Sequence, residues 1–408
     1  MDRSRQIRTR IGVAALTRRA FDGANLAIIW NELLAAATND PADAAAILDL
    51  SVLAQLLGDA QTGARLQNQA LAIEQIFRSP CASARPRLRL LAIAAATDMG
   101  GNIPLEFLLS GSDVELLTLY VAPNVALPTV VPEHDLAIVA MGNADRATAT
   151  LERIAQLVAA WPVPLLNSPA RIIDLERDRL CQMVQAVSGL ECPKTARITR
   201  PDLASIAAGD LQVRAVLSDG AFPMIVRPVD SHAGKGLEKI DQPCDLSTYM
   251  TERTEAEFFI SRYVDYAGSD GLFRKYRIVF IDGRPFASHM AIAEEWKVWY
   301  LNAHMDQSAD KRAEEARFMA SFDTEFAERH KEAFGQLTAL VGLDYFGIDC
   351  AETTDGKLLL FEGETALIVH DMDPPDIYPY KLPQMHKLFA AFADMLRRRA
   401  ATALAHVA

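Results

Sequence analysis

The sequence predicts an α/β protein built from several units, and three features carry that expectation. Its 408 residues exceed what one compact core supports, so about two to four units are expected. Short apolar runs at 89–95, Val114–Val121, 134–141 and 163–166 alternate with helix-like segments, the pattern of a parallel sheet in a doubly wound layer. From residue 211 onward the patterning becomes rich in short strands.

Residues 20–80 are rich in Ala and Leu at helical spacing. Segment 44–57 puts Ile47, Leu48, Val52, Leu53, Leu56 and Leu57 on one face, Gly58-Asp59 breaks it, and a second helix is expected over 61–77. Asp40-Pro41 reads as a helix start. The pair resembles one tetratricopeptide unit, but no second copy follows at a fixed period, and a helical cap on the next unit is an equal reading. Beyond Pro86 come the parallel strands, with helices at 103–109 and 144–160 between them. Gly100-Gly101 lacks both the GxGxxG fingerprint and its acidic partner, which argues against a dinucleotide site.

A helix is expected over 174–187, then strands over 213–217, 224–226, 258–264, 277–281 and 287–293. A long charged helix over 310–341 precedes strands at 347–350 and 357–361. The last helix, from Leu382, ends in Arg397, Arg398 and Arg399, cations that suit a helix C-terminus.

Composition excludes several classes. Hydrophobic residues are 50% and charged residues 23%, a globular balance. A net charge of -12 argues against a nucleic-acid binder, while leaving room for a local Arg/Lys cluster that holds phosphates. Cys81, Cys181, Cys192, Cys244 and Cys350 form no CxxC pair; an odd count of such residues suits a reducing compartment. The basic start MDRSRQIRTR is followed by an apolar stretch, 11–16, too short for a secretory signal. The longest uncharged stretch, 116–132, contains Pro123, Pro128 and Pro132 and cannot span a membrane as a helix. A cytoplasmic protein is expected.

Two segments carry chemistry. In 222–240 (FPMIVRPVDSHAGKGLEKI) a buried strand delivers Arg227 to a loop containing Ser231, Ala233, Gly234, Lys235 and Gly236. Glycines let a backbone approach a ligand, consecutive N–H groups make an anion-binding concavity, and Arg227 and Lys235 can neutralise phosphate oxygens. An ordinary β-turn would read the same way, and the Walker loop pattern is not matched. In 347–365 (GIDCAETTDGKLLLFEGET) Asp349 and Glu362 end two apolar strands joined by a turn, and Glu364 faces the same way as Glu362. Three converging acids repel unless a cation lies between them, and magnesium is the natural one; solvated acids near a turn are the alternative reading.

In this order, the segments resemble the ATP-grasp superfamily over about residues 88–395. The resemblance implies a helical segment (1–84), a Rossmann-like pre-ATP-grasp domain (85–170), an ATP-grasp N-terminal lobe with a glycine-rich lid (171–265) and a C-terminal lobe with the metal site (266–408). It implies phosphate-binding cations at Arg179 and Arg227, where the family commonly has lysine, and a lid at Ser231, Ala233, Gly234, Lys235 and Gly236. It implies an adenine-recognising hinge at Arg262, Tyr263 and Val264, with Ser261 replacing the usual acid. Arg277 takes the place of the arginine that contacts the reacting phosphate. Asp349, Glu362 and Glu364 take the metal positions, Glu364 where asparagine is common. In 294–306 Asn302 is the candidate that also approaches the metal, among Trp296, Trp299, Tyr300 and His304, although aromatic packing beneath a loop explains these equally. His370, Asp371 and Asp373 follow the metal strand and either line the same cleft or lie on the surface.

The resemblance implies an ATP- and Mg2+-dependent, ADP-forming carboxylate–amine ligase resembling the glutathione synthetases and ribosomal-protein glutamate ligases. The carboxylate is activated as an acyl phosphate and joined to an amine on a small metabolite or peptide. Neither a nucleic acid nor a membrane is among the expected partners; a homodimer and a peptide contact through the N-terminal helices are. A nucleotide-binding sensor with a degenerate site and a helical partner-binding segment is the reading from another class, and a thiol ligase or carboxylase is disfavoured because no biotinyl- or CoA-binding segment is visible.

Overall fold

The computed structural model describes residues 7–407 other than 124, 232, 233 and 301, and three sheets organise them. The chain opens with four helices, α1 (Val13–Phe21), α2 (Leu26–Asn39), α3 (Ala44–Leu56) and α4 (Ala60–Ile73). Asn25, Asp43 and Asp59 cap the last three by accepting N–H groups of Ala27, Ala46 and Thr62. The start expected at Asp40-Pro41 therefore falls at Asp43 instead. Asp40 closes α2 and accepts the N–H of Ala42. The second helix stops at Ile73 rather than continuing to 77, because Ile76–Arg78 (β1) pairs with a sheet strand and buries Phe77.

The first sheet holds β2 (Leu88–Ala95), β3 (Val114–Val121), β4 (Leu136–Val139) and β5 (Leu165–Leu166), mutually parallel in the order β3-β2-β4-β5, with β1 antiparallel at the edge. Parallel strands are covered on both faces, so β2 and β4 read as near-continuous apolar runs. After β6 (Leu190–Glu191) comes an antiparallel sheet of β7 (Thr195–Thr199), β8 (Met224–Pro228), β9 (Glu238–Ile240) and β10 (Glu257–Arg262), ordered β7-β10-β8-β9. The third sheet is β12-β11-β13-β14-β6, from β11 (Phe273–Ile281), β12 (Arg284–Ala293), β13 (Tyr345–Glu352) and β14 (Leu358–Glu364); β6 joins it parallel to β14.

Three expected elements differ. Residues Val213–Val216 form a short helix rather than a strand, since Val213 and Leu217 both reach the core of the second sheet at helical spacing. The expected 310–341 helix is three pieces, Ala309–Ser321, Phe326–Arg329 and Lys331–Val341. Ser321 and Thr324 hydroxyls donate to the carbonyls of Arg317 and Ser321, and such local bonding competes with the helix ladder. The helix expected over 174–187 is shorter, Arg177–Val184, and a separate short helix, Pro169–Ile173, precedes it.

The first and third sheets share one continuous core with the C-terminal helix Lys381–Val407, whereas the second sheet closes on its own core of Met224, Val226, Phe258 and Ile260 among others. A cavity lies where these bodies meet.

Candidate active site

The cavity measures about 970 Å³. Its roof is the second sheet (Ile225, Arg227, Phe259, Ser261) and its floor the third (Lys275, Arg277, Leu359 to Glu362). Its end wall is the carboxyl edge of the first sheet, at Ala95 to Asp98 and Met141 to Ala144. Open α/β sheets bind ligands at that edge because the loops there are free to converge.

The charged residues come from strand alternation. Lys275 and Arg277 lie two apart on β11 and point the same way, and Arg277 is paired in register with Asp349 on β13. Arg277 Nε and Nη2 donate to Asp349 Oδ1 and Oδ2 at 2.8 and 3.0 Å, and Lys275 Nζ lies 2.7 Å from Oδ2. Burial alone would raise the Asp349 carboxyl, but these two cations hold it far below the usual carboxylate range. Glu362 stands opposite Asp349 on β14 and forms an ion pair with Arg177. Burial likewise opposes its charge, yet Arg177 keeps it ionised down to about 2. Glu364 differs: among the described residues it has no hydrogen-bond or ion-pair partner. Burial, then the charge of Glu362, push it up to about 8.

Arg227 carries the opposite imbalance. Its guanidinium donates to Ser231 Oγ at 3.2 Å and to the Ser231 carbonyl, and no carboxylate pairs with it among the described residues. Burial and the charge of Arg177 draw it down to about 9. A cation partly withdrawn from water without a counter-charge is costly unless an anion visits it.

The other expected residues are placed as follows. Arg179 is exposed and outside the cavity lining, while Arg177 lines it. The break at 174–176 makes Arg177 the first residue of its helix, and Arg179, two further on, points round the other side. In the glycine loop Gly234 lines the cavity, Lys235 is exposed, Gly236 is buried, and Ala233 lies outside the described residues. Gly236 has φ +68°, and a Cβ there would sit 2.7 Å from Pro228 Cδ, so the tight return of this loop requires glycine. Arg262 lines the cavity but is tied to Glu191 and Asp219. Tyr263 and Val264 line it too; the Tyr263 N–H donates to the Pro223 carbonyl and its ring meets Trp296 edge-on at 5.8 Å. Asn302 lines the cavity, yet its side chain closes its own turn, accepting from Trp299 N at 2.8 Å and donating to the Lys297 carbonyl at 3.2 Å. His370 and Asp373 reach the cavity wall; Asp371 instead pairs with Arg18.

Sequence reasoning missed several lining cations. Lys275 was findable from its two-residue offset to Arg277. Lys297 bonds the Leu237 carbonyl at 2.7 Å and so joins the 294–302 loop to the end of the glycine loop. Lys381 opens the C-terminal helix, buried between Tyr300, Glu315 and Asp373; nothing local in its sequence marks it.

Among the described residues, no group of three or more His, Cys, Asp or Glu side chains is arranged to hold a metal ion. Both oxygens of Asp349 are already taken by cations. Glu362 and Glu364 nevertheless offer hard oxygen donors on one face of one strand, and Glu364 lacks a counter-charge. That pair fits magnesium, which commonly takes one or two carboxylates and completes its shell with phosphates and water. All five cysteines are free, and no described helix is long and apolar enough to cross a membrane.

No family model matches the chain, and no curated protein matches it. Among solved structures it is similar to the VanG D-Ala:D-Ser ligase from Enterococcus faecalis, at 12% identity and TM-score 0.45 over 75% of this chain and 100% of that one. It is similar to a RimK domain protein ATP-grasp from Sphaerobacter thermophilus, at 15% identity and TM-score 0.43 over 76% and 99%. A D-alanine–D-alanine ligase from Bacillus anthracis complexed with ATP is also similar, at 12% identity and TM-score 0.46 over 77% and 98%.

Proposed function

We propose that the protein is an ATP- and magnesium-dependent ligase of the ATP-grasp type. In this reading it activates a carboxylate as an acyl phosphate, releases ADP and joins the acyl group to an amine. The observation that carries the reading is Arg227, a cation without a carboxylate partner among the described residues, set in the cavity roof across from the acids of the floor. Phosphoryl transfer asks a protein mainly for positioning and neutralisation of charge. Arg227 and Arg177 are suited to phosphate oxygens, and Tyr263, Val264 and Trp296 to a flat base. Lys275 and Arg277, braced by Asp349, present two cations to the reacting phosphate without collapsing onto it. Glu362 and Glu364 would hold magnesium, which when bound supplies further neutralisation of phosphate charge. The glycine loop, bridged to the 294–302 loop through Lys297, supports the exclusion of water that an acyl phosphate needs.

Calorimetric titration of ATP, with and without magnesium, tests this reading. Binding that requires magnesium is expected, with Arg227→Ala weakening it about tenfold or more through loss of a charged contact. Absence of binding at millimolar ATP would sink the proposal. Magnesium-dependent binding without ADP release for any carboxylate and amine pair would instead favour a nucleotide sensor.

A further inference from the structure

We infer that the N-terminal helices build the substrate-selecting wall of this cavity, with Phe21 limiting the size of an apolar group on the amine and Arg18 as a positioning residue. That the ligand is an amine rests on the ligase reading above; the contacts do not. Arg18, near the end of α1, forms an ion pair with Asp371 and lies 5.1 Å over the ring of Phe107, which in turn packs 6.2 Å from the ring of His370. The segment 366–373 is thus held from two sides, because Arg277 Nη1 also donates to the Ile368 carbonyl at 3.1 Å. Ala366, Leu367, Ile368, His370 and Asp373 of this segment line the cavity.

The loop on the other side is held in the same manner. Gln67 Nε2 of α4 donates to the Thr97 carbonyl at 2.7 Å, and Met99 N–H donates to Gln55 Oε1 of α3 at 3.0 Å. Thr97, Asp98, Gly100 and Gly101 line the cavity. The helices therefore hold both loops of this wall.

Phe21 follows Arg18 by three residues, so both lie on one face of α1. It lines the cavity while 54% exposed, as does Ile368 at 62%. Large apolar side chains left open at a cavity mouth mark a contact surface for a ligand. The cavity volume of about 970 Å³ is near the upper end for ligand sites, leaving space beside a nucleotide for a second substrate. α1 is a firm support for such a wall: its Ala14 N–H donates to Glu106 at 2.8 Å, and the buried Arg10–Asp49 pair, at 3.0 Å, anchors the segment leading into it.

The test uses the full chain and the variants Phe21→Ala, Phe21→Trp, Arg18→Ala and Arg18→Lys. ADP release is followed with α-amino acids graded from glycine to phenylalanine, each supplying both the carboxylate that takes the phosphoryl group and the amine that displaces phosphate. Phe21→Ala is expected to shift kcat/KM toward bulkier amines, and Phe21→Trp toward glycine, by roughly tenfold, the scale of small volume changes in an apolar pocket. KM for ATP stays within about twofold in each, since the nucleotide contacts are untouched. Arg18→Ala raises KM for the amine and speeds hydrogen exchange at 366–373, and Arg18→Lys restores most of both. Unchanged amine selectivity in the Phe21 variants, or equal changes in both KM values, overturns the specificity role. Unchanged exchange at 366–373 in Arg18→Ala overturns the positioning role. Failure of the ligase reading is seen separately, as no ADP release from any amine by the unaltered chain; the role of Phe21 falls with it, while exchange still decides that of Arg18.

Discussion

Asp349 and Glu364 share one sheet face but play different parts. Asp349 is 1% exposed and neutralises Lys275 and Arg277, so its loss strands two partly buried cations. Asp349→Ala is expected to cost about 3–5 kcal/mol of stability in urea unfolding, the scale for breaking a buried ion pair. Glu364 has no such duty. Glu364→Gln is expected to leave the urea midpoint unchanged or slightly higher while removing the magnesium-dependent part of ATP binding, read by calorimetry. If Glu364→Gln destabilised the fold as much as Asp349→Ala, the division between a bracing acid and a ligand acid would be wrong. Arg177 and Arg179 make a related point: two residues apart on one helix, only the first reaches the cavity.

At the scale of elements, the junction between the broken helix and β13 is pinned by one carboxylate. Glu352 accepts from Arg329 Nε at 2.8 Å and lies 2.8 Å from His330 Nε2. Burial would raise its carboxyl, but the His330 and Arg329 contacts hold it below the usual value. A depressed carboxyl adds stability that is fully present above its unfolded value near 4.5 and is lost as pH falls through the lower folded value. Glu352→Gln should therefore cost about 1–2 kcal/mol at pH 7, and the difference from the unaltered chain should shrink below about pH 4. Thermal unfolding across that range checks it; a pH-independent difference would point to packing rather than charge. The same junction shows why one long helix is not formed: Phe322 stacks on Phe326, Phe326 meets Phe318 edge-on, Phe318 and Phe326 both pack against Tyr276 on β11, and the chain must bend to bring all of them inward.

At the scale of the whole molecule, the N-terminal helices are joined to the first sheet by charge as well as by apolar contact. Asp49, on α3 and 1% exposed, receives Arg10 Nε at 3.0 Å together with the N–H groups of Ile11 and Gly12. Arg10 also donates to Tyr120 Oη on β3 at 3.0 Å. Asp49→Ala is expected to cost about 3–5 kcal/mol, since it leaves Arg10 buried without its carboxylate partner. Calorimetry of unfolding should show the loss in the main transition, because the helices and the sheet share these contacts. A separate early transition confined to the helices would show instead that they unfold on their own.

Much of the architecture was legible in the sequence. Parallel strands buried on both faces announce themselves as apolar runs, and the strand period alone aligned Glu362 with Glu364 and allows Lys275 to be placed with Arg277. Local signals also marked the glycine loop, since positive φ and a 2.7 Å approach leave little choice of residue at Gly236. The rest was decided by tertiary packing. The break before Arg177 exchanged which arginine faces the cavity, the ring cluster around Phe326 cut a helix in three, and Val213 turned from strand to helix because its core contacts are satisfied at either period. Lys381 and Phe21 reach the cavity, and Arg18 braces its wall, from segments far apart in the chain, where local pattern carries no information about what lies opposite. Sequence determines what each segment is able to bury; only the closed fold determines which charges are left facing one another.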